Sequence, residues 1–185
     1  MPEVFHTIDV QLFTFLNSTI SNDICDKIFP YITDVRNWLL VYVFLFGWLF
    51  WQGGKKGILT AVSLIAVIMA TDYLNSELLK NYFSRVRPCS ALDDVRLLIT
   101  CGSGKSFPSS HAANMFAAAT VLSYYYRKYR WIYFGIALAI AFSRVYVGVH
   151  YPLDIAGGAI VGIVTGTVVV FIGRVFGKDL DKEDD

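Results

Sequence analysis

The chain has 185 residues, 55% of them hydrophobic and 16% aromatic, and a formal net charge of +1 at pH 7. That length is most simply one domain, and that apolar content excludes an ordinary soluble one. A near-neutral balance gives a nucleic-acid partner no support.

In chain order, the first residues lack the basic and apolar regions of a cleavable signal, so insertion is expected to rely on internal apolar segments. Residues 7–30 mix Ile8, Val10, Leu12, Phe13, Phe15 and Leu16 with Asp9, Asn17, Asn22, Asp23, Asp26 and Lys27. The mixture predicts an amphipathic helix in the membrane interface, as one element or as two short ones ending at Pro30, with a sixth span as the alternative. Beyond it, 37–54 carries no charge, 57–76 carries only Asp72, and 112–126, 131–143 and 155–173 carry none. A bilayer core of about 30 Å needs about 20 helical residues. The pattern therefore predicts an all-α integral membrane bundle of about five transmembrane helices, near 35–53, 57–78, 109–126, 131–149 and 153–174. The third and fourth are short unless polar residues cap them at the membrane surface. In domain terms, 1–34 is an interfacial segment, 35–176 the membrane domain and 177–185 a charged cytoplasmic tail.

Short loops rich in Lys and Arg stay in the cytoplasm. With these spans, Lys55 and Lys56 share one side with Arg127, Lys128 and Arg130, and Arg174, Lys178 and Lys182 join them. The 79–108 loop and the 147–153 turn then share the opposite face, which in a bacterium is periplasmic or exterior. Cys89 and Cys101 lie in that outer loop, where an oxidising compartment permits a disulfide; two reduced thiols are the alternative. Cys25 is left over.

Three polar clusters stand at the ends of the apolar stretches: Lys80-x6-Arg87-Pro88, Pro108-Ser109-Ser110-His111 and Ser143-Arg144-x5-His150-x3-Asp154. Guanidinium forks match the oxygens of a phosphate group. Lys80 and Arg87, seven residues apart, would share a face if the helix continues, with Pro88 ending it. Snorkelling at a helix end is the plainer reading of that pair, and the one given to Arg85 and Arg96. Arg144 follows thirteen uncharged residues and needs an anionic partner: Asp154, Asp72 or, better, a bound phosphate.

His150 precedes Asp154 by four residues, so the carboxylate can accept from one ring nitrogen and leave the other free to attack phosphorus. His111 follows Ser109 and Ser110 where a helix begins. Hydroxyls and backbone N–H groups there can hold phosphate oxygens, while His111 protonates the departing oxygen. A single histidine at a membrane interface is more often structural, and His6 is read that way. The three clusters in order, on one membrane face, point to a phosphate site.

With these residues the chain resembles the type 2 phosphatidic acid phosphatase (PAP2) superfamily, whose pattern is K-x6-R-P, P-S-G-H and S-R-x5-H-x3-D. The first and third motifs match in full; in the second, Ser110 stands in place of the glycine and keeps the backbone N–H. The resemblance implies a helical bundle in which Lys80, Arg87 and Arg144, with Ser109 and Ser110, bind phosphate. It also implies that His150 forms a phosphohistidine with Asp154 orienting it, and that His111 acts as proton donor. No metal or other cofactor is expected.

The expected activity is hydrolysis of a phosphomonoester or diphosphate on a bacterial envelope lipid at the periplasmic face of the inner membrane. Undecaprenyl diphosphate and lipid A 1-phosphate are the leading substrates. Phosphatidylglycerophosphate hydrolysis and lipid-to-lipid phosphotransfer are alternatives. A transporter or scaffold is the reading from outside the enzymes. Tyr82, Phe83, Tyr146 and Tyr151 are placed either along a lateral exit for lipid tails or as interfacial anchors.

Overall fold

A computed structural model describes residues 3–180, with side-chain surroundings for residues 4–175. Every regular element among them is helical. Helix α1 (Glu3–Thr14) runs into a π-helical turn (Phe15–Thr19). Helix α2 (Asp23–Thr33) begins where the Asn22 side chain accepts the Cys25 N–H at 2.9 Å. Asp23 and Asp26 occupy its first turn, where the helix dipole favours negative charge. Pro30 does not end α2. It forfeits only the bond to the Asp26 carbonyl, and the helix continues to Thr33.

The chain goes on through α3 (Leu39–Trp51), α4 (Gly54–Tyr73), a π-helical turn (Leu74–Leu79) and the short α5 (Lys80–Phe83) and α6 (Pro88–Ala91). It closes with α7 (Ser110–Tyr125), α8 (Arg130–Tyr146) and α9 (Pro152–Leu180). The helix expected to carry both Lys80 and Arg87 stops at Phe83, where Ser84 adopts the left-handed conformation at φ 47°. Pro88 opens α6 instead of ending a helix, which suits its fixed φ and missing N–H. Chain reversal, not a shared helical face, brings Lys80 and Arg87 together.

Among the described residues, two stretches are long and apolar enough to cross a membrane, 54–91 and 152–175; α2 with residues 35–51, bent by 72°, would make a third. Helices α7 and α8, with 16 and 17 residues, reach about 24–26 Å. The tail placed at 177–185 is entered by α9 as far as Leu180; residues 181–185, like 1 and 2, lie outside the described ones.

Helix α7 is the central element, touching α4, α8 and α9. Its contact with α9 is close because Gly158, Gly162 and Gly166 repeat every four residues on the facing side. A Cβ on Gly162 would run into the Ala113 carbonyl, and one on Gly158 into the Ser109 carbonyl. Ala112, Ala113 and Ala117, all fully buried, meet that face, so small residues let the two backbones approach. Thr71 of α4 and Thr165 of α9 share a hydroxyl hydrogen bond of 2.8 Å across the same region.

Helices α4 and α8 run toward the end at which α7 and α9 begin. Lys80, His111, Arg144 and Asp154 therefore converge on one end, while Lys55, Lys56, Arg127 and Lys128 sit at the other. The N-terminal segment covers the converging end. Phe13 packs with Val145 and Tyr151. Asn17, fully buried, donates to the carbonyls of Arg96 and Tyr146 at 2.8 and 2.7 Å and accepts the Arg96 N–H at 3.0 Å.

Candidate active site

Helix α8 ends at Tyr146, and the chain turns through Gly148, whose φ of 91° belongs to the left-handed region that favours glycine. Its contacts add a second reason, because a Cβ there would meet the Arg96 carbonyl. Pro152 then starts α9 and places Asp154 in its first turn. Asp154 reaches back so that Oδ2 accepts the Tyr151 N–H at 2.8 Å, the reciprocal half of a capping box. The same oxygen lies 3.3 Å from His150 Nδ1 and accepts the Ser106 hydroxyl. Oδ1 accepts from Arg85 Nη1 at 2.8 Å.

These partners fix the tautomer of His150. A carboxylate accepts and a guanidinium donates, so Nδ1 carries the proton toward Asp154. Nε2 then holds a lone pair, which accepts from Arg87 Nη1 at 3.1 Å. His150 is 2% exposed, and burial pushes its pKa down to about 4 despite the carboxylate at its back.

The guanidiniums around Nε2 differ from three others in the molecule. Arg36 and Arg96 each pair with an aspartate, and Arg85 pairs with two. Arg87 instead donates to the carbonyls of Gly104 and Val149 at 3.0 and 3.1 Å. Arg144 Nη1 donates to the Thr33 hydroxyl at 2.8 Å, and its buried Nε has no partner. Among the described residues, neither Arg87 nor Arg144 has a carboxylate within ion-pair distance, so Arg144 takes neither Asp154 nor Asp72. Lys80 lies close enough to Arg87, Arg144, Asp72 and Asp154 for their charges to interact.

At the start of α7, the Ser109 hydroxyl accepts the Ala112 N–H at 3.5 Å, and its own N–H donates to the Asp154 carbonyl at 3.0 Å. Asn75, turned inward by the π-helical turn, donates to the Ser110 hydroxyl at 2.8 Å and to the Pro108 carbonyl at 3.2 Å. The backbone N–H groups of Ser110 and His111 have no acceptor within their own helix. The His111 ring meets the backbone of Thr33 and is near Arg144, Lys80 and His150.

His111 also lines a cavity of about 770 Å³. Thr33, Asp72 and Asn114 share its polar end, with Asn114 donating to Asp72 at 2.8 Å. Apolar side chains of α3, α4, α7 and α8 line the rest, as far as Phe46 and Leu122. Leu122 lies about 16 Å along α7 from His111.

Lys80, Arg87, His111, Arg144, His150 and Asp154 are thus gathered at one end of the bundle. Two sequence expectations change, and Ser143 of the third motif stands outside the site. Ser143 faces away, its hydroxyl donating to the Ile140 carbonyl at 2.6 Å. Tyr146 and Tyr151, each 1% exposed, are packed inside: Tyr146 donates to Asp26 at 2.6 Å, and Tyr151 lies under Arg85. Arg85 does not snorkel but binds Asp154. The sequence reading also missed Asp9, Thr33, Asn75 and Ser106, which lie outside the three clusters. Asn75 and Asp9 carried a faint signal as polar residues among apolar neighbours; Thr33 and Ser106 carried none.

Cys89 and Cys101 form a disulfide with Cα atoms 6.1 Å apart, closing the 89–101 loop whose flanks carry Arg87 and Gly104. Among the described residues, no three His, Cys, Asp or Glu side chains are grouped to hold a metal ion.

Fold and site together describe a membrane phosphatase. Residues 60–176 match the PAP2 superfamily, and the chain belongs to that family. It is 30% identical to the lipid A 4'-phosphatase of Bacteroides thetaiotaomicron, over 94% of this chain and 80% of that one. It is 31% identical to the undecaprenyl-diphosphatase BcrC of Bacillus subtilis, over 78% and 73%. The crystal structure of Aquifex aeolicus LpxE superimposes with a TM-score of 0.74 at 30% identity, covering 88% of this chain and 94% of that one.

Proposed function

We propose that the chain hydrolyses a phosphomonoester or diphosphate on an envelope lipid, undecaprenyl diphosphate or a lipid A phosphate, through a phosphohistidine on His150. The observation that carries this reading is the nucleophile's setting. The Nε2 lone pair faces guanidiniums that have no carboxylate of their own, and His111 beside them opens onto an apolar cavity. A phosphate held by Lys80, Arg87, Arg144 and the N–H groups at the start of α7 supplies the missing anion, and a lipid tail fills the cavity.

Nε2 attacks phosphorus as the bond from phosphorus to the leaving oxygen breaks, and that oxygen takes the proton of His111. Water then gives a proton to His111 and attacks the phosphohistidine. The phosphorus–nitrogen bond breaks, inorganic phosphate leaves, and both histidines are restored. Catalysis of this kind is mostly positioning and charge stabilisation, which the cation cluster is suited to provide.

In the membrane, α3, α4, α7, α8 and α9 serve as five spans with polar residues capping the two short ones. Residues 3–34 lie at the interface, and the site faces the periplasm or exterior. Lys55, Lys56, Arg127 and Lys128 at the far end support that orientation. Pure protein in detergent, with chelator present, is expected to release inorganic phosphate from undecaprenyl diphosphate or lipid A. His150→Ala is expected to abolish release while the protein stays folded. Full turnover by that variant removes the nucleophile assignment; lipid binding without phosphate release favours a transporter.

A further inference from the structure

Asp154 is held from two sides. Its Oδ2 is occupied by His150, Ser106 and the Tyr151 N–H. Its Oδ1 accepts from Arg85 Nη1 at 2.8 Å, and the other end of that guanidinium donates to Asp9 Oδ2 at 2.7 Å. The second oxygen of Asp9 accepts the Leu153 N–H at 2.9 Å, one residue before Asp154 in the first turn of α9. The guanidinium lies 4.0 Å above the Tyr151 ring. Side-chain exposures are 13% for Arg85, 1% for Asp9 and 0% for Asp154.

With two carboxylates on it, Arg85 is not available to a phosphate, unlike Arg87 two residues later. Asp9 belongs to α1, an element outside all three motif clusters. Without Arg85, two buried carboxylates would face each other at the foot of α9, Oδ1 would lose its donor, and only the bonds on Oδ2 would hold the Asp154 carboxylate against Nδ1.

We propose that Asp9 and Arg85 form a positioning latch through which helix α1 holds the Asp154 carboxylate, and with it the His150 ring, in the geometry for attack. The latch rests on the assignment of His150 as nucleophile. Neither residue touches the phosphate; both act through Asp154.

The test compares Arg85→Gln, Arg85→Lys and Asp9→Asn with the parent full-length protein in detergent, using whichever of undecaprenyl diphosphate and lipid A the parent turns over. Arg85→Gln is expected to lower kcat about 10²-fold, the scale of a misplaced reacting group, with KM changed less than about threefold. Arg85→Lys restores part of the loss, and Asp9→Asn falls between. The acid limb of kcat/KM also moves. His150 is faced by Asp154, Arg87, Arg144 and His111. Removing the Arg85 charge leaves Asp154 free to hold the imidazole proton more tightly, so the limb shifts to higher pH in Arg85→Gln, whereas Asp9→Asn removes a negative charge and shifts it to lower pH.

Loss of activity in Arg85→Gln or Asp9→Asn with an unmoved limb, or loss in any of the three mainly through KM, overturns the latch. So does wild-type kcat in folded Arg85→Gln or Asp9→Asn. Should Arg85→Gln not fold, the limb and kcat of Arg85→Lys and Asp9→Asn decide alone. Turnover by His150→Ala overturns the nucleophile itself, a result distinct from an inactive His150→Ala beside an unaltered Arg85→Gln.

Discussion

A buried imidazole with a carboxylate at Nδ1 and a guanidinium at Nε2 is pulled in both directions, and for His150 burial wins, leaving the ring neutral down to about pH 4. In the unfolded chain the same ring takes its proton near pH 6.5. The unfolded state therefore binds more protons between those values, and stability falls as pH drops through that window. The unfolding midpoint in detergent is expected to decline from about pH 6.5 toward 4, and His150→Asn, which has no proton to gain, is expected to flatten that decline. An equal slope in both proteins would assign the loss to other groups. His150 and Asp154 were legible in the sequence because the pair is local, four residues apart across a helix start. Arg85 was not, because its partners are 69 and 76 positions away and ion pairing at that distance leaves no periodic trace.

At the scale of elements, the line of contact between α7 and α9 sets the distance between the two histidine-bearing segments. Gly162 has the Ala113 backbone where a side chain would go, so Gly162→Leu must push the helices apart. The expected result is a loss of at least about 1–3 kcal/mol, the scale of overpacking, together with a turnover loss of tenfold or more. Thermal unfolding and phosphate release measured on the same sample check it; a stable, fully active variant would mean that α7 and α9 are not fixed by this contact. Glycine spacing alone did not reveal the partner helix. The helix expected across Lys80 and Arg87 failed for a related reason. Ser84 takes a left-handed turn that its residue type does not announce, and Pro88 reads equally well as an ending or a beginning.

For the molecule as a whole, apolar length and the order of the motifs were enough to expect a membrane bundle with one reactive end. What they could not supply was the covering of that end by residues 3–34, since Asn17, Asp9 and Thr33 act through long-range bonds to Arg96, Arg85 and Arg144. Orientation is open to direct measurement. In a variant without native cysteines, a thiol placed at Gly54 is expected to resist an impermeant reagent in intact cells, while one placed at Asp93 is expected to react. The reverse pattern would turn the reactive end toward the cytoplasm and change the lipids that can reach it.

The cavity beside His111 has a consequence for turnover. It is walled by apolar side chains of α3, α4, α7 and α8, whereas His111 and Thr33 stand at its polar end, where Arg144 donates to the Thr33 hydroxyl. On this reading the two halves of a cleaved substrate depart into different phases, orthophosphate into water and the lipid alcohol or lipid monophosphate into the bilayer. Resynthesis would require simultaneous recapture from two reservoirs, which slows the reverse reaction without shifting the equilibrium.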